Sequence, residues 1–147
     1  MIRLRNRRWR QRGQSFVEAA LLLPGIVFLF IGALDAGFYG YALIGIQSAA
    51  RVAAIYTSSS SSTAADSTGA CALVLKELSS MPNITGSITS CGALPLIVTA
   101  AGPTTDQFGN SYSTVTVKYQ TPALMPIPGG FSGTTTLTRA VQMQIRS

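Results

Sequence analysis

The chain has 147 residues, 47% of them apolar and only 11% charged, with no histidine and two cysteines. Its formal charge of +6 resembles that of a nucleic-acid binder, but six of the eleven cations precede Gly13 and the remainder of the chain carries five cations against five acids. The basic excess therefore belongs to the tail and not to the body, so a nucleic-acid reading from net charge would mislead, and the lack of histidine and of clustered ligands argues against a metal centre.

Arg3, Arg5, Arg7, Arg8, Arg10 and Arg12 form an acid-free tail with Trp9 as its only aromatic residue. Such a segment is retained on the cytoplasmic side of a membrane. Ala19 to Leu34 follow without a charge, a run of about 24 Å at 1.5 Å per residue. The apolar character continues past Asp35 through Phe38, Tyr39 and Tyr41, aromatics suited to the far interface. One transmembrane helix with its N-terminus inside is expected. Arg7-Arg8 does not read as a twin-arginine export signal, because Trp-Arg-Gln follows it. Ala33-Leu34-Asp35-Ala36 does not read as a secretory cleavage site, because the apolar periodicity runs straight through it.

Glu18 stands at the start of this helix, where an ionisable group is costly and a partner is expected. A free amine at Gln14, created by cutting after Gly13, would supply one; solvation in the headgroup layer is the plainer alternative. Pro24-Gly25 removes a helix hydrogen bond and permits a bend. Ala33 with Gly37 and Ala36 with Gly40 have the spacing of small residues that lets membrane helices approach closely, although glycine is also simply common in such helices.

Beyond the span, Ala42, Ile46, Ala49, Ala53 and Tyr56 mark one helical face. The helix is expected from about Ser15 to Tyr56, ended by the serine run Ser58 to Ser62. Gly69 to Met81 reads as a short helix stopped by Pro82. Strands are expected at Ile84 to Cys91, Leu96 to Ala100, Ser113 to Gln120 and Thr134 to Ile145, with loops at Pro103 to Asn110 and Pro122 to Gly133. Val115, Val117 and Tyr119 alternate with polar residues in the third strand. Leu137, Val141, Met143 and Ile145 share a face in the fourth, with Arg139 intruding. The expected fold is α+β: a long N-terminal helix, then a small head with a short helix and an antiparallel sheet. Its divisions are a basic leader (1–13), the long helix (14–57), a Ser/Thr-rich linker (58–68) and the head (69–147).

Cys71 and Cys91 both fall in the head, where an even count in an oxidising compartment favours a disulfide over two buried thiols. No catalytic constellation emerges: the five acids are scattered, and no glycine-rich phosphate loop or serine elbow is present. Neither an enzyme activity nor a cofactor is expected. Asp35 reads as interfacial, Lys76 with Glu77 as a solvated helix face, and the glycosylation-like Asn83-Ile84-Thr85 carries little weight.

Gly13 followed five residues later by Glu18, with a basic leader before and an apolar helix after, resembles the processing motif of type IV pilins and pseudopilins. The string from Arg12 to Pro24, then Asp35-Ala36-Gly37 and Ala49-Ala50-Arg51, is similar to TadE-like pseudopilins of tight-adherence (Tad) pili. The resemblance implies cleavage after Gly13 by an inner-membrane prepilin peptidase, Gln14 as the new N-terminus, and assembly through the helix with other pilin subunits and Tad inner-membrane proteins. It places the head in the periplasm or on an extracellular pilus. Major Flp pilins are much shorter and usually have tyrosine after the glutamate, where this chain has Ala19, so a minor pilin or pseudopilin is implied. An uncleaved, signal-anchored protein with a periplasmic binding head is the alternative.

Overall fold

The computed structural model describes residues 7–84, 88–122 and 133–146. The leader's first six residues, Thr85, the loop positions 123–132 with Phe131, and Ser147 lie outside them. The described chain contains helix α1 (Arg7–Thr57), helix α2 (Ser67–Glu77) and strands β1 (Gly92–Ala93), β2 (Leu96–Thr105), β3 (Ser111–Gln120) and β4 (Thr136–Gln144). The strands form one antiparallel sheet in the order β1-β2-β3-β4, so the expected α+β architecture is the observed one. Contacts divide the chain into two compact units, Met1–Phe38 and Tyr39–Ser147.

In the first unit α1 begins upstream of Ser15, because arginine and glutamine are good helix formers and Gly13 alone costs only about 1 kcal/mol. It continues through Pro24.

In the second unit the C-terminal part of α1 shares one core with α2 and the sheet. Ala42, Ile46, Ala49 and Ala53 are fully buried, as their spacing predicts, and Ala50 and Ala54 join them. Five of these six residues are alanines, which let the helix backbone approach closely but each bury little surface. Most of the hydrophobic stabilisation therefore comes from Ile46, Val74, Leu78, Leu96, Val115, Val117 and Tyr119, at about 1.5–3 kcal/mol for each fully buried aliphatic side chain. The alternation expected for β3 holds, with Ser113, Val115, Val117 and Tyr119 buried. The Tyr119 hydroxyl donates to the Pro82 carbonyl at 2.6 Å, and burial pushes its phenol pKa up.

Three expected boundaries are corrected. α2 starts at Ser67, not Gly69, because Asp66 caps it, and it ends at Glu77, before Pro82 is reached. The strand expected over Ile84 to Cys91 does not form among its described residues. Asn83 has φ 69°, a left-handed turn that asparagine tolerates, and Ile84 is buried as an anchor at the end of a turn. Pairing begins only at Gly92–Ala93. Finally, β2 continues to Thr105 through the expected loop at Pro103. The register shifts between Ala101 and Thr104, an irregularity that accommodates a proline with no N–H to give to the ladder. Gly102 sits in it at φ 157°, and a Cβ there would meet the Tyr112 carbonyl oxygen at 2.9 Å.

Candidate assembly site

Every large apolar residue from Phe16 to Phe30 is exposed, from Val27 at 47% to Phe16 at 79%. Leu21, Leu22, Leu23, Ile26, Phe28 and Leu29 occur at consecutive and near-consecutive positions, so this part of the helix is apolar all round rather than along one stripe. Such a helix needs a surrounding of lipid or of other apolar helices. The stretch Gln14–Thr57 is long and apolar enough to cross a membrane, and none of its most apolar window is buried within the chain.

Gly13 lies within the helix at the start of this stretch. Gln14 and Glu18 are exposed, and Glu18 makes no hydrogen bond or ion pair with the described residues. Ala33, Ala36 and Gly37 are exposed and Gly40 half-exposed. A Cβ added at Gly37 or Gly40 would meet no atom within 4 Å. Packing among the described residues thus gives no reason for glycine at either position. Pro24 is likewise exposed. Asp35 is exposed and unpaired among the described residues.

Where α1 ends, the chain is tied down by polar contacts that the sequence reading missed. The Tyr56 hydroxyl donates to Asp66 Oδ2 at 2.7 Å, while Asp66 Oδ1 accepts from the backbone N–H groups of Thr68 at 3.1 Å and Gly69 at 2.9 Å. One carboxylate therefore caps α2 and holds the last turn of α1. The Gly69 N–H, followed by the Tyr56 hydroxyl, lowers the Asp66 pKa, and the same bond raises that of Tyr56. Gly69 has a steric role as well, since a Cβ there would fall 2.5 Å from both Asp66 Oδ2 and Tyr56 Oη. An Asp-Ser-Thr sequence before an apolar run was the available signal for this cap.

The Ser/Thr-rich segment is bonded into the head. The Ser60 N–H donates to Thr63 Oγ1 at 3.2 Å and the Thr63 N–H to Ser60 Oγ at 3.3 Å. The buried Ala64 carbonyl accepts from Ser113 Oγ at 2.9 Å, and the Ser58 carbonyl from the Arg146 N–H at 3.0 Å. A disulfide joins Cys71 of α2 to Cys91, with Cα atoms 5.7 Å apart. Because no strand forms among the described residues before it, the bridge ties α2 to the segment entering β1.

At the opposite hairpin, Asp106 accepts from the N–H groups of Phe108 and Asn110, the Asn110 side-chain amide and the Tyr112 hydroxyl. Desolvation opposes its ionisation, but these bonds outweigh it and hold its pKa down. Phe108 is presented at the tip, 80% exposed. Lys76 and Glu77 are exposed as expected. No group of three or more potential metal ligands occurs among the described residues.

Residues 13–54 match the family model described as TadE-like protein. The match begins at Gly13 and takes in Glu18, Pro24, the small-residue pairs and the buried alanine stripe. It bears out the TadE-like resemblance over that segment and associates the chain with Tad pili and a membrane anchor. No curated protein and no solved structure matches the chain.

Proposed function

We propose that this chain, TadE-like along its first helix, is a minor pilin or pseudopilin of a Tad-type pilus. The observation that carries the reading is the helix apolar on all sides that follows Gly13 and Glu18 within the matched segment. Prepilin peptidase removes residues 1–13 at the cytoplasmic face and leaves Gln14 as the N-terminus. The cut removes six arginines and leaves a body of balanced charge. Glu18, costly at this depth without a partner, is neutralised by the new amine of a neighbouring subunit. Residues 14–57 act as the assembly helix and Ala33, Ala36, Gly37 and Gly40 as its close-packing positions. The segment 58–68 and the head, 69–147, stand on the periplasmic side and are carried onto the pilus.

The role is structural, and no described constellation supports a reaction mechanism. Intact-mass analysis after co-expression with the cognate prepilin peptidase tests the reading. A product beginning at Gln14, lost when Gly13 is replaced by a bulky residue, is expected. A full-length chain would instead support an uncleaved anchor with a periplasmic binding head.

A further inference from the structure

β4 is an edge of the sheet, and its pairing with β3 leaves one side of its backbone free. The Ile145 N–H donates to the Ser111 carbonyl and the Thr121 N–H to the Thr135 carbonyl. By the register between those two pairs, residues 137, 139, 141 and 143 turn their N–H and C=O groups to β3. Those of Thr138, Ala140, Gln142 and Gln144 point outward, and none of these four N–H groups has a partner among the described residues.

Beside this edge runs a stripe of α1. Ile44, Ser48, Arg51 and Ile55 follow one another at the spacing of one helical face, and all are exposed, Ile44 at 73% and Ile55 at 56%. The first three line a groove of about 440 Å³ with Arg139, and Ile55 lines one of about 510 Å³ with Met143, Gln144 and Arg146. Both grooves lie between α1 and the β4 edge, in the same order along each element. They contain Arg51, Arg139 and Arg146 and no acid. Neither Arg51 nor Arg146 makes a side-chain hydrogen bond or ion pair among the described residues, and Arg139 Nη1 reaches only the neighbouring Thr138 carbonyl at 3.4 Å. Arg139 also interrupts the core-facing series of Leu137, Val141 and Met143, and a broken pattern of this kind marks a functional position.

We infer that this edge accepts an extended segment of a different protein as a fifth strand, with apolar side chains over Ile44 and Ile55 and a carboxylate between them against Arg51 and Arg139. Main-chain bonds to the outward groups of β4 supply affinity, and alternate side chains supply specificity. The stripe rises about 16 Å from Ile44 to Ile55, the length of about five strand residues at 3.3 Å each. The fitting pattern is therefore apolar, acidic, apolar at every second position. A second copy does not supply it, because all five acids of this chain lie in helices or turns. Glu18 and Asp35 are in α1, Glu77 is in α2, Asp66 caps α2 and Asp106 closes the turn between β2 and β3. Two β4 edges paired about their centres would also set one Arg139 near the other, and like charges so placed are destabilising. A lipid phosphate meets the cations and accepts from N–H groups, but it has nothing to donate to the alternating carbonyls. The inference goes beyond the pilin reading and does not rest on it, since it concerns the second unit alone.

The test uses the full-length chain in detergent micelles and the peptide Ser-Thr-Val-Thr-Glu-Thr-Val-Thr-Ser, read by residue-resolved amide hydrogen exchange and by titration. At about ten times its Kd the peptide should slow exchange at Ala140 and Gln142 by about tenfold, while Val141 and Met143, already bonded to β3, change little. Changing the peptide's glutamate to lysine, or Arg51→Glu in the protein, should weaken binding by about tenfold or more, and the two changes together should recover it in part. Arg51 is exposed, and an unchanged near-ultraviolet tyrosine signal verifies that the variant is folded. The peptide N-methylated through its Thr-Glu-Thr centre should not bind. Unchanged exchange at Ala140 and Gln142, or binding that survives N-methylation or ignores the charge exchange, overturns the inference. Slow exchange at these amides without peptide, lost on dilution, assigns the edge to a second copy and overturns it. Phosphatidylglycerol that engages Arg51 and Arg139 where the peptide gives no protection assigns the cations to lipid and overturns it as well. None of these results bears on cleavage after Gly13, so the pilin reading stands or falls separately.

Discussion

Replacing Cys71 and Cys91 together by alanine removes a cross-link between residues 20 apart in sequence. For a loop of that length the chain-entropy relation gives about 11 cal/mol/K, or about 3 kcal/mol at 25 °C. The second unit spans about a hundred residues, for which total stability is on the order of 5–15 kcal/mol, so the bridge supplies a substantial share. At about 4–8 °C per kcal/mol the melting temperature of the head should fall by about 12–24 °C. Far-ultraviolet dichroism is a poor monitor, because the 51-residue α1 dominates it. The near-ultraviolet tyrosine signal is preferable, since Tyr119 is fully buried in the head core. A fall of less than about 4 °C, equivalent to under about 1 kcal/mol, would refute the reasoning and imply that the reduced loop is already confined in the unfolded chain.

Three further outcomes are expected. Because the folded pKa of Asp66 lies below its unfolded value, its contribution is fully present above the unfolded pKa of about 3.8 and is lost as pH falls through the lower folded value. Urea melts of Asp66→Asn against the parent between pH 7 and pH 2 should converge at the acid end; a constant gap would contradict the assignment. Gly69→Ala should lower the melting temperature despite alanine's higher helix propensity, by displacing the Tyr56–Asp66 bond, whereas Gly45→Ala meets chiefly the flexible methyl end of Met81 and should lower it less. Equal effects in calorimetry would remove the steric role given to Gly69. Ala49→Leu should cost about 1–3 kcal/mol in denaturant titration through overpacking of a fully buried helix contact, and a neutral result would mean that the helix can move off the sheet.

The parts legible in the residues were those governed by periodicity. The stripe from Ala42 to Ala53 and the alternation of β3 are repeated patterns, and each buries the face it predicted. The Gly13–Glu18 spacing and the uncharged run located the TadE-like segment before the match over residues 13–54. Less legible was the stretch after α2. Ile84 and Ile88 are apolar at positions that resemble a strand, yet Ile84 anchors a turn and Ile88 lies half-buried against the core. The serine tract was misleading in a similar way. Composition describes Ser58 to Thr63 as linker-like, but reciprocal hydroxyl and backbone bonds hold it, and Thr57 and Ser58 are buried.

By itself the sequence determined the apolar helix, the charge asymmetry across Gly13 and the presence of a small β-rich head, and it favoured pairing of the only two cysteines. These are local or compositional properties and do not depend on which distant residues meet. Only the tertiary structure decided that Asp66 joins the end of α1 to the start of α2, and that Arg51 and Arg139, 88 positions apart, line one groove. Contacts between distant residues are set by how the helix and sheet stack around a shared core. Neither charge carries a local sign of the other, so packing alone brings them together.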